Sequence, residues 1–242
     1  MIKQRADRLL VARGLFESRA RAQAAIAAGM VRADGVTLRK ASEGISAAAA
    51  IEAAPEHPYV SRGGIKLAAA LDQFGLDLQG RICLDVGAST GGFTEVLLQR
   101  GARRVYAVDV GRGQLHARLR GNEKIVSIEN TDIRTLDSAQ LAERPDFATI
   151  DVSFISLKLV LPAVEKLLAD RATLIALIKP QFEAGRGAVK KGIVRDTATH
   201  AAVCADIAAF LAARGWRVGD VLPSPVAGGD GNREFLIEGE RG

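Results

Sequence analysis

Four ionisable residues stand where they could do chemistry together: Lys66, Asp151, Lys179 and Glu234. Asp151 and Lys179 each close an apolar run, Phe147-Ala148-Thr149-Ile150 and Leu174-Ile175-Ala176-Leu177-Ile178. Lys66 lies one turn into a helix-like segment, and Glu234 opens a late apolar stretch, so both can reach the same cleft. Two lysines and two carboxylates around a cationic donor suit group transfer to a hydroxyl. The acceptor must shed a proton as the group arrives, and a lysine takes it only where the ammonium form is disfavoured. A second lysine and the donor's charge disfavour it, while the carboxylates hold each ammonium in place. Transfer to a base amine is the alternative, but Asp151-Val152-Ser153-Phe154 lacks the prolines that shape an amine-binding turn. Lys179 is the expected base, because Pro180 stops its strand beside Asp151. Lys66 is expected to position the acceptor, although alone it would read as a solvated surface lysine.

The donor is suggested by a second stretch, Ile82-Cys83-Leu84-Asp85-Val86-Gly87-Ala88-Ser89-Thr90-Gly91-Gly92-Phe93-Thr94. A short apolar run, a glycine-rich turn and an amphipathic segment make a buried strand, a tight turn and a helix start. A dinucleotide turn needs a middle glycine for the pyrophosphate, and here Ser89 fills that place between Gly87 and Gly92. A ligand without phosphates, such as S-adenosylmethionine, fits better. Its expected contacts are Asp85, Gly87, Ser89, Gly91, Gly92 and Phe93 at the turn. Asp109, closing the next apolar run, is placed for ribose hydroxyls, and Asp132, after the run that follows, for the adenine amine or a nearby group. The competing reading is a tight turn that holds no ligand.

These residues need a scaffold that gathers strand ends. Candidate strands fall at 81–86, 103–109, 124–128, 146–151 and 172–179, with helical stretches expected between them. Such alternation predicts an α/β unit with a mostly parallel sheet and helices on both faces. Ligands of such sheets bind at the carboxyl ends of strands. The long polar connection 181–195 is of a length that is often functional. A helix over 196–214 and strands at 216–222 and 234–237 close the chain.

Ahead of this lies a small basic α+β unit. Residues 1–54 carry nine positive and five negative side chains, four of the chain's five net positive charges. Met1 to Arg5 runs directly into helix-like sequence, two short helices end at Gly14 and Gly29, and Asp34-Gly35 between apolar alternations signals a hairpin. A basic unit beside a near-neutral one suggests a nucleic-acid-binding module next to a catalytic domain, with an ordinary solvated surface as the alternative. Pro55 and Pro58 mark a linker over 55–60, leaving 61–242 as the larger domain. Cys83 and Cys204 sit in apolar segments and read as buried thiols; the three histidines show no ligand spacing, so no metal site is expected. No h-region or membrane-length apolar run is visible, and a cytoplasmic protein is expected.

Residues 1–54 resemble the RNA-binding domain named after ribosomal small-subunit protein S-four. The likeness rests on Arg5-Ala6-Asp7-Arg8-Leu9-Leu10, Ser18-Arg19-Ala20-Arg21-Ala22 and Gly29-Met30-Val31-Arg32-Ala33-Asp34-Gly35. It implies RNA contacts from Arg5, Arg8, Arg19, Arg21 and Arg32. The remainder resembles the FtsJ-type ribose 2'-O-methyltransferases, a Rossmann-like fold with a Lys-Asp-Lys-Glu tetrad. The matching runs include Ser61-Arg62-Gly63-Gly64-Ile65-Lys66-Leu67, Asp85 to Thr94, Asp151-Val152-Ser153-Phe154-Ile155-Ser156, Ile178-Lys179-Pro180-Gln181-Phe182-Glu183, Lys191 to Asp196 and Gly231-Asn232-Arg233-Glu234-Phe235-Leu236. Together the two parts resemble the TlyA family of ribosomal RNA methyltransferases. That implies 2'-O-methylation of a cytidine in 23S rRNA, with 16S as a second candidate, and Lys66, Asp151, Lys179 and Glu234 as the tetrad. Glu238 is the weaker fourth member, outside the Asn-Arg-Glu-Phe run. The family's other label, haemolysin, implies a membrane-lytic protein, for which the sequence offers no export signal, span or long basic amphipathic helix. An RNA-binding protein with an inactive methyltransferase fold is a third reading, opposed by the intact tetrad.

Overall fold

The computed structural model describes residues 3–55, 57–228 and 231–242; Glu56 of the expected linker lies outside the described residues. The chain divides into two compact units, Met1–Pro58 and Tyr59–Gly242.

The first unit contains β1 (Lys3–Arg5), α1 (Ala6–Ala12), α2 (Arg19–Ala27), β2 (Val31–Ala33), β3 (Val36–Thr37), β4 (Gly44–Ser46) and β5 (Ile51–Ala53). Leu9, Leu10, Phe16, Ile26, Val31 and Leu38 form its core. Ser18 caps α2 by accepting from the Arg21 amide. β2 and β3 form the expected hairpin, and Asp34 and Gly35 both have positive φ, 49° and 78°, as a two-residue turn requires. The sequence runs residues 1–5 straight into a helix, whereas Lys3–Arg5 pairs with Gly44–Ser46. That pairing is made by backbone, and all three side chains of β1 are exposed, so no apolar alternation announces it.

Asp7 organises two of the arginines. Its carboxylate is inaccessible to solvent and accepts from Arg5 at 3.1 Å, Arg19 at 2.8 Å and Gln23 at 2.9 Å. The Arg5, Arg19 and Gln23 donors hold that carboxyl well below the usual carboxylate range. Arg32 folds back on the Gly35 carbonyl, and Arg21 lies 3.1 Å from His57 Nε2. Arg8 is exposed.

The second unit begins with α3 (Gly63–Phe74), followed by β6 (Ile82–Val86), α4 (Gly92–Gln99), β7 (Arg104–Val108), β8 (Ile125–Ile128), β9 (Phe147–Ile150), α5 (Leu157–Leu167), β10 (Ala172–Ile178), α6 (Pro180–Glu183), α7 (Thr197–Ala213), β11 (Arg217–Pro223) and β12 (Phe235–Arg241). One seven-stranded sheet has the order β11-β12-β10-β9-β6-β7-β8. The β8-β7-β6-β9-β10 pairings are parallel, and β12 joins β10 and β11 antiparallel. This is the mostly parallel α/β sheet that the alternation predicts. The strand order reverses between β6 and β9, the switch point beside which ligands of open sheets bind.

Strand periodicity divides the core in two. Cys83, Val105, Phe147, Ile175, Leu177 and Leu236 face α3 and α4, while Leu84, Tyr106, Ile150, Leu174, Ile178 and Ile237 face α5 and α7. The expectation of a helix in every crossover is corrected in two places. Between β7 and β8, and between β8 and β9, the described residues form loops and two short 3-10 turns, Ile133–Thr135 and Ser138–Gln140. In the first loop the amides of Gly113, Gln114 and Leu115 all donate to the Glu129 carboxylate, so they are not available to a helical ladder.

Candidate active site

Sheet register brings the four ionisable residues together. On β9, Phe147 and Thr149 face α3 and α4, and the same alternation carried one step on turns Asp151 to that side. On β10 the sequence Ile175, Leu177, Lys179 runs along the same face, and on β12 Leu236 and Glu234 do. β10 and β12 pair Ile178 with Phe235, and extending that register sets Lys179 opposite Glu234. Cβ atoms opposed across antiparallel strands lie about 5 Å apart. α3 lies on this face and contributes Lys66.

The result is two lysine–carboxylate pairs. Lys66 Nζ donates to Glu234 Oε2 at 2.5 Å, with side chains 10% and 3% exposed. Lys179 Nζ lies 2.5 Å from Asp151 Oδ1, as an ion pair, and donates an aligned hydrogen bond to Ser153 Oγ at 2.9 Å. Asp151 Oδ1 is buried. Glu234 is held by its loop: buried Asn232 accepts from the Val194 amide at 3.0 Å and donates to the Gly192 carbonyl at 2.9 Å. That cross-link also fixes the long connection after β10 against the start of β12.

Two cavities meet at Asp151. One of about 240 Å³ is lined by Ser61, Lys66, Gly87, Ser89, Gly92, Phe93 and Asp151. The other, about 1030 Å³, also includes Gly87, Ser89 and Asp151 and runs past Asp109 and Asp132 to Phe154, Gln181 and Phe182. Gly87 packs the turn directly on the end of β9: its φ is 82°, and an added Cβ would sit 2.3 Å from the Asp151 carbonyl oxygen. Asp109 closes the turn from the other side, accepting from the Ser89 amide at 2.8 Å and the Gly111 amide at 2.7 Å. Each carboxylate oxygen has a second lone pair, so Asp109 can still accept from a ligand.

Asp132 lines the larger cavity but is already engaged: its carboxylate accepts from the Arg134 guanidinium and the Arg134 amide. A ligand amine there would share Asp132 with Arg134. Asp85, expected among the ligand contacts, is set beneath the turn. It is fully buried and accepts from Thr94 at 2.6 Å and Thr149 at 3.1 Å, and it lines neither cavity. Burial pushes its carboxyl up to about 7 against those hydrogen bonds. Gly91 also stands back from the cavities; with φ 91° it starts α4 and packs where a Cβ would meet Leu119 at 2.4 Å.

Several supporting residues carry no sequence signal of their own. Glu95 accepts from the Val60 amide at 2.6 Å and from Arg118 at 2.7 Å, tying α4 to the segment before α3. Glu183, whose carboxyl burial pushes up, accepts from Ser156 Oγ at 2.6 Å and the Leu157 amide at 2.8 Å. These are acidic residues inside helical runs, where a sequence reader expects solvent.

The arrangement is that of a group-transfer site, and comparison with known proteins agrees. The model of the FtsJ-like methyltransferase family matches residues 59–241. YqxC of Bacillus subtilis, named as a candidate rRNA methyltransferase, is 48% identical over 97% of this chain and 85% of its own. The 16S/23S rRNA (cytidine-2'-O)-methyltransferase TlyA of Mycobacterium tuberculosis is 42% identical over 97% of this chain and 89% of its own. A solved structure from Streptococcus thermophilus, described as a candidate hemolysin, has a TM-score of 0.78 at 44% identity, covering all of this chain and 89% of that one. This chain belongs to the FtsJ-like methyltransferases and, within them, to the TlyA family.

Proposed function

We propose that the chain is an S-adenosylmethionine-dependent methyltransferase that modifies the 2'-hydroxyl of a cytidine in ribosomal RNA. The observation that carries the reading is the pair of lysine–carboxylate contacts on one sheet face, Lys66–Glu234 and Lys179–Asp151, with cavities at Asp151. Two relatives at 42–48% identity over nearly the whole chain, named as rRNA methyltransferases, support the substrate class.

The residues present fit the donor. Gly87 and Ser89 line both cavities together with Asp151, Asp109 offers a carboxylate with accepting capacity, and Asp132 stands farther along the larger cavity. Bound S-adenosylmethionine supplies an electrophilic methyl group. Lys179 takes the proton from the acceptor hydroxyl, and Asp151 holds the lysine at the switch point. Lys66, locked by Glu234, presents a fixed cation to the acceptor's oxygen. Asp85 supports the turn through Thr94 and Thr149. Holding the acceptor in line with the methyl group provides much of the acceleration.

The first unit serves as an S-four-type RNA-binding domain. Its half-exposed Arg5 and Arg19, aimed by Asp7, and its exposed Arg8 suit phosphate contacts to structured RNA; Arg21 and Arg32 extend that surface. An rRNA substrate implies a cytoplasmic setting, and among the described residues no helix is long and apolar enough to cross a membrane. The test is a map of 2'-O-methyl groups on rRNA from cells with and without the protein. One or more cytidines that lose the mark support the reading; identical maps reject it.

A further inference from the structure

We propose that Ser153 is a positioning residue that sets the direction in which Lys179 Nζ meets the acceptor hydroxyl. The proposal rests on the reading of Lys179 as the base. A neutral amine has two N–H donors and one lone pair, spread roughly tetrahedrally. Proton transfer requires that lone pair to point at the acceptor. The acceptor's O–H bond breaks, the lysine lone pair becomes a new N–H bond, and the electron pair left on oxygen forms the bond to the methyl carbon while the donor's methyl–sulfur bond breaks, its electron pair going to sulfur, which leaves as the neutral thioether S-adenosylhomocysteine.

A charge alone does not orient an amine on a flexible four-carbon stem. Asp151 Oδ1 lies 2.5 Å from Nζ as an ion pair, so it supplies charge and takes one donor direction, leaving the second unset. Ser153 Oγ accepts an aligned bond from Nζ at 2.9 Å, so it supplies direction. With both neighbours occupying the donor side of the nitrogen, the remaining direction is left for the acceptor.

Ser153 is exposed and lines the larger cavity, yet its loop is not free. Two residues beyond the left-handed Phe154, with φ 64°, Ser156 donates to Glu183 at 2.6 Å, and the Leu157 amide donates to the same carboxylate at 2.8 Å. Glu183 ends the short helix that starts immediately after Lys179. The serine and the lysine it orients are therefore braced by one carboxylate, from both sides.

The test compares full-length wild type, Ser153→Ala, Ser153→Thr and Lys179→Ala. Single-turnover methyl transfer is measured on ribosomal subunits lacking the mark, with S-adenosylmethionine affinity by calorimetry and RNA affinity by filter binding. Ser153→Ala should slow the single turnover about 10-fold, the size of one lost orienting hydrogen bond. Both affinities should stay at wild-type values, and Ser153→Thr, which keeps the hydroxyl, should recover the rate. A Ser153→Ala enzyme at full rate beside a dead Lys179→Ala enzyme overturns the proposal and leaves the base assignment standing. Loss confined to RNA affinity, or a threonine variant as slow as alanine, also overturns it. A Lys179→Ala enzyme at full rate removes the base assignment itself, and this proposal with it.

Discussion

Lys66 and Glu234 are separated by 168 positions in sequence and by 2.5 Å in the fold, and both are buried. A buried charge that loses its partner is costly, whereas a matched apolar replacement of both partners is often neutral. Lys66→Met should therefore destabilise the protein by about 3–5 kcal/mol, because it strands the Glu234 carboxylate. The double variant Lys66→Met/Glu234→Met should regain most of that stability while remaining inactive. Urea unfolding of the two variants beside wild type checks this. Equal destabilisation of single and double variants would show that packing, not charge, sets the loss.

Asp85 carries a pH dependence of the opposite sign to most carboxylates. Burial raises its folded value to about 7, above the unfolded value of about 4. The folded state then holds the extra proton between those values, so this group's contribution to stability is full below about pH 4 and declines as pH rises toward 7. Asp85→Asn, which stays neutral, should be relatively more stable than wild type at pH 8 than at pH 4. Unfolding midpoints across that range decide it; parallel pH profiles for the two proteins would contradict the assignment.

Gly87→Ala should damage the cofactor site. The position has φ 82°, and the new Cβ would lie against the Asp151 carbonyl oxygen, which is backbone and cannot swing aside. Affinity for S-adenosylmethionine should fall at least about 10-fold, equivalent to about 1.4 kcal/mol. Calorimetry giving wild-type affinity would mean that the turn is not where the ligand binds.

The first unit should bind rRNA electrostatically. Arg8→Ala should weaken binding at all salt concentrations and lower the salt slope by about 1, as expected for one lost phosphate contact. Asp7→Asn should also weaken binding, by releasing Arg5 and Arg19 from the geometry that a buried carboxylate imposes. Unchanged salt slopes for Arg8→Ala would place the RNA elsewhere.

Much of this site is legible in the sequence because strand periodicity is. Asp151 and Lys179 end apolar runs, and runs of that kind become central parallel strands whose ends must meet a ligand. The Lys66–Glu234 contact is not readable that way: it depends on an antiparallel register between β10 and β12 and on where α3 packs. The sequence brings both residues to one cleft but does not pair them. Asp85 shows the reverse case. A carboxylate one residue from the end of a strand reads as a ligand contact, whereas in the structure it accepts from Thr94 and Thr149 and lines neither cavity. β1 and the helix-free crossovers escaped because backbone pairing and the Glu129 amide cradle leave no apolar pattern. Ser153 is equally silent, since an exposed serine after a strand has no spacing to mark it.

The central claim is that Lys179 takes the acceptor's proton, and its most direct test is the single-turnover rate of methyl transfer by Lys179→Ala across a pH series. The predicted result is a loss of about 10²–10⁴-fold, the usual share of a general base, with S-adenosylmethionine and RNA affinities unchanged. Lys179→Arg should not rescue, because a guanidinium stays protonated. Near-normal rates in Lys179→Ala beside a dead Lys66→Ala would exchange the two roles, and full rates in both would contradict the mechanism.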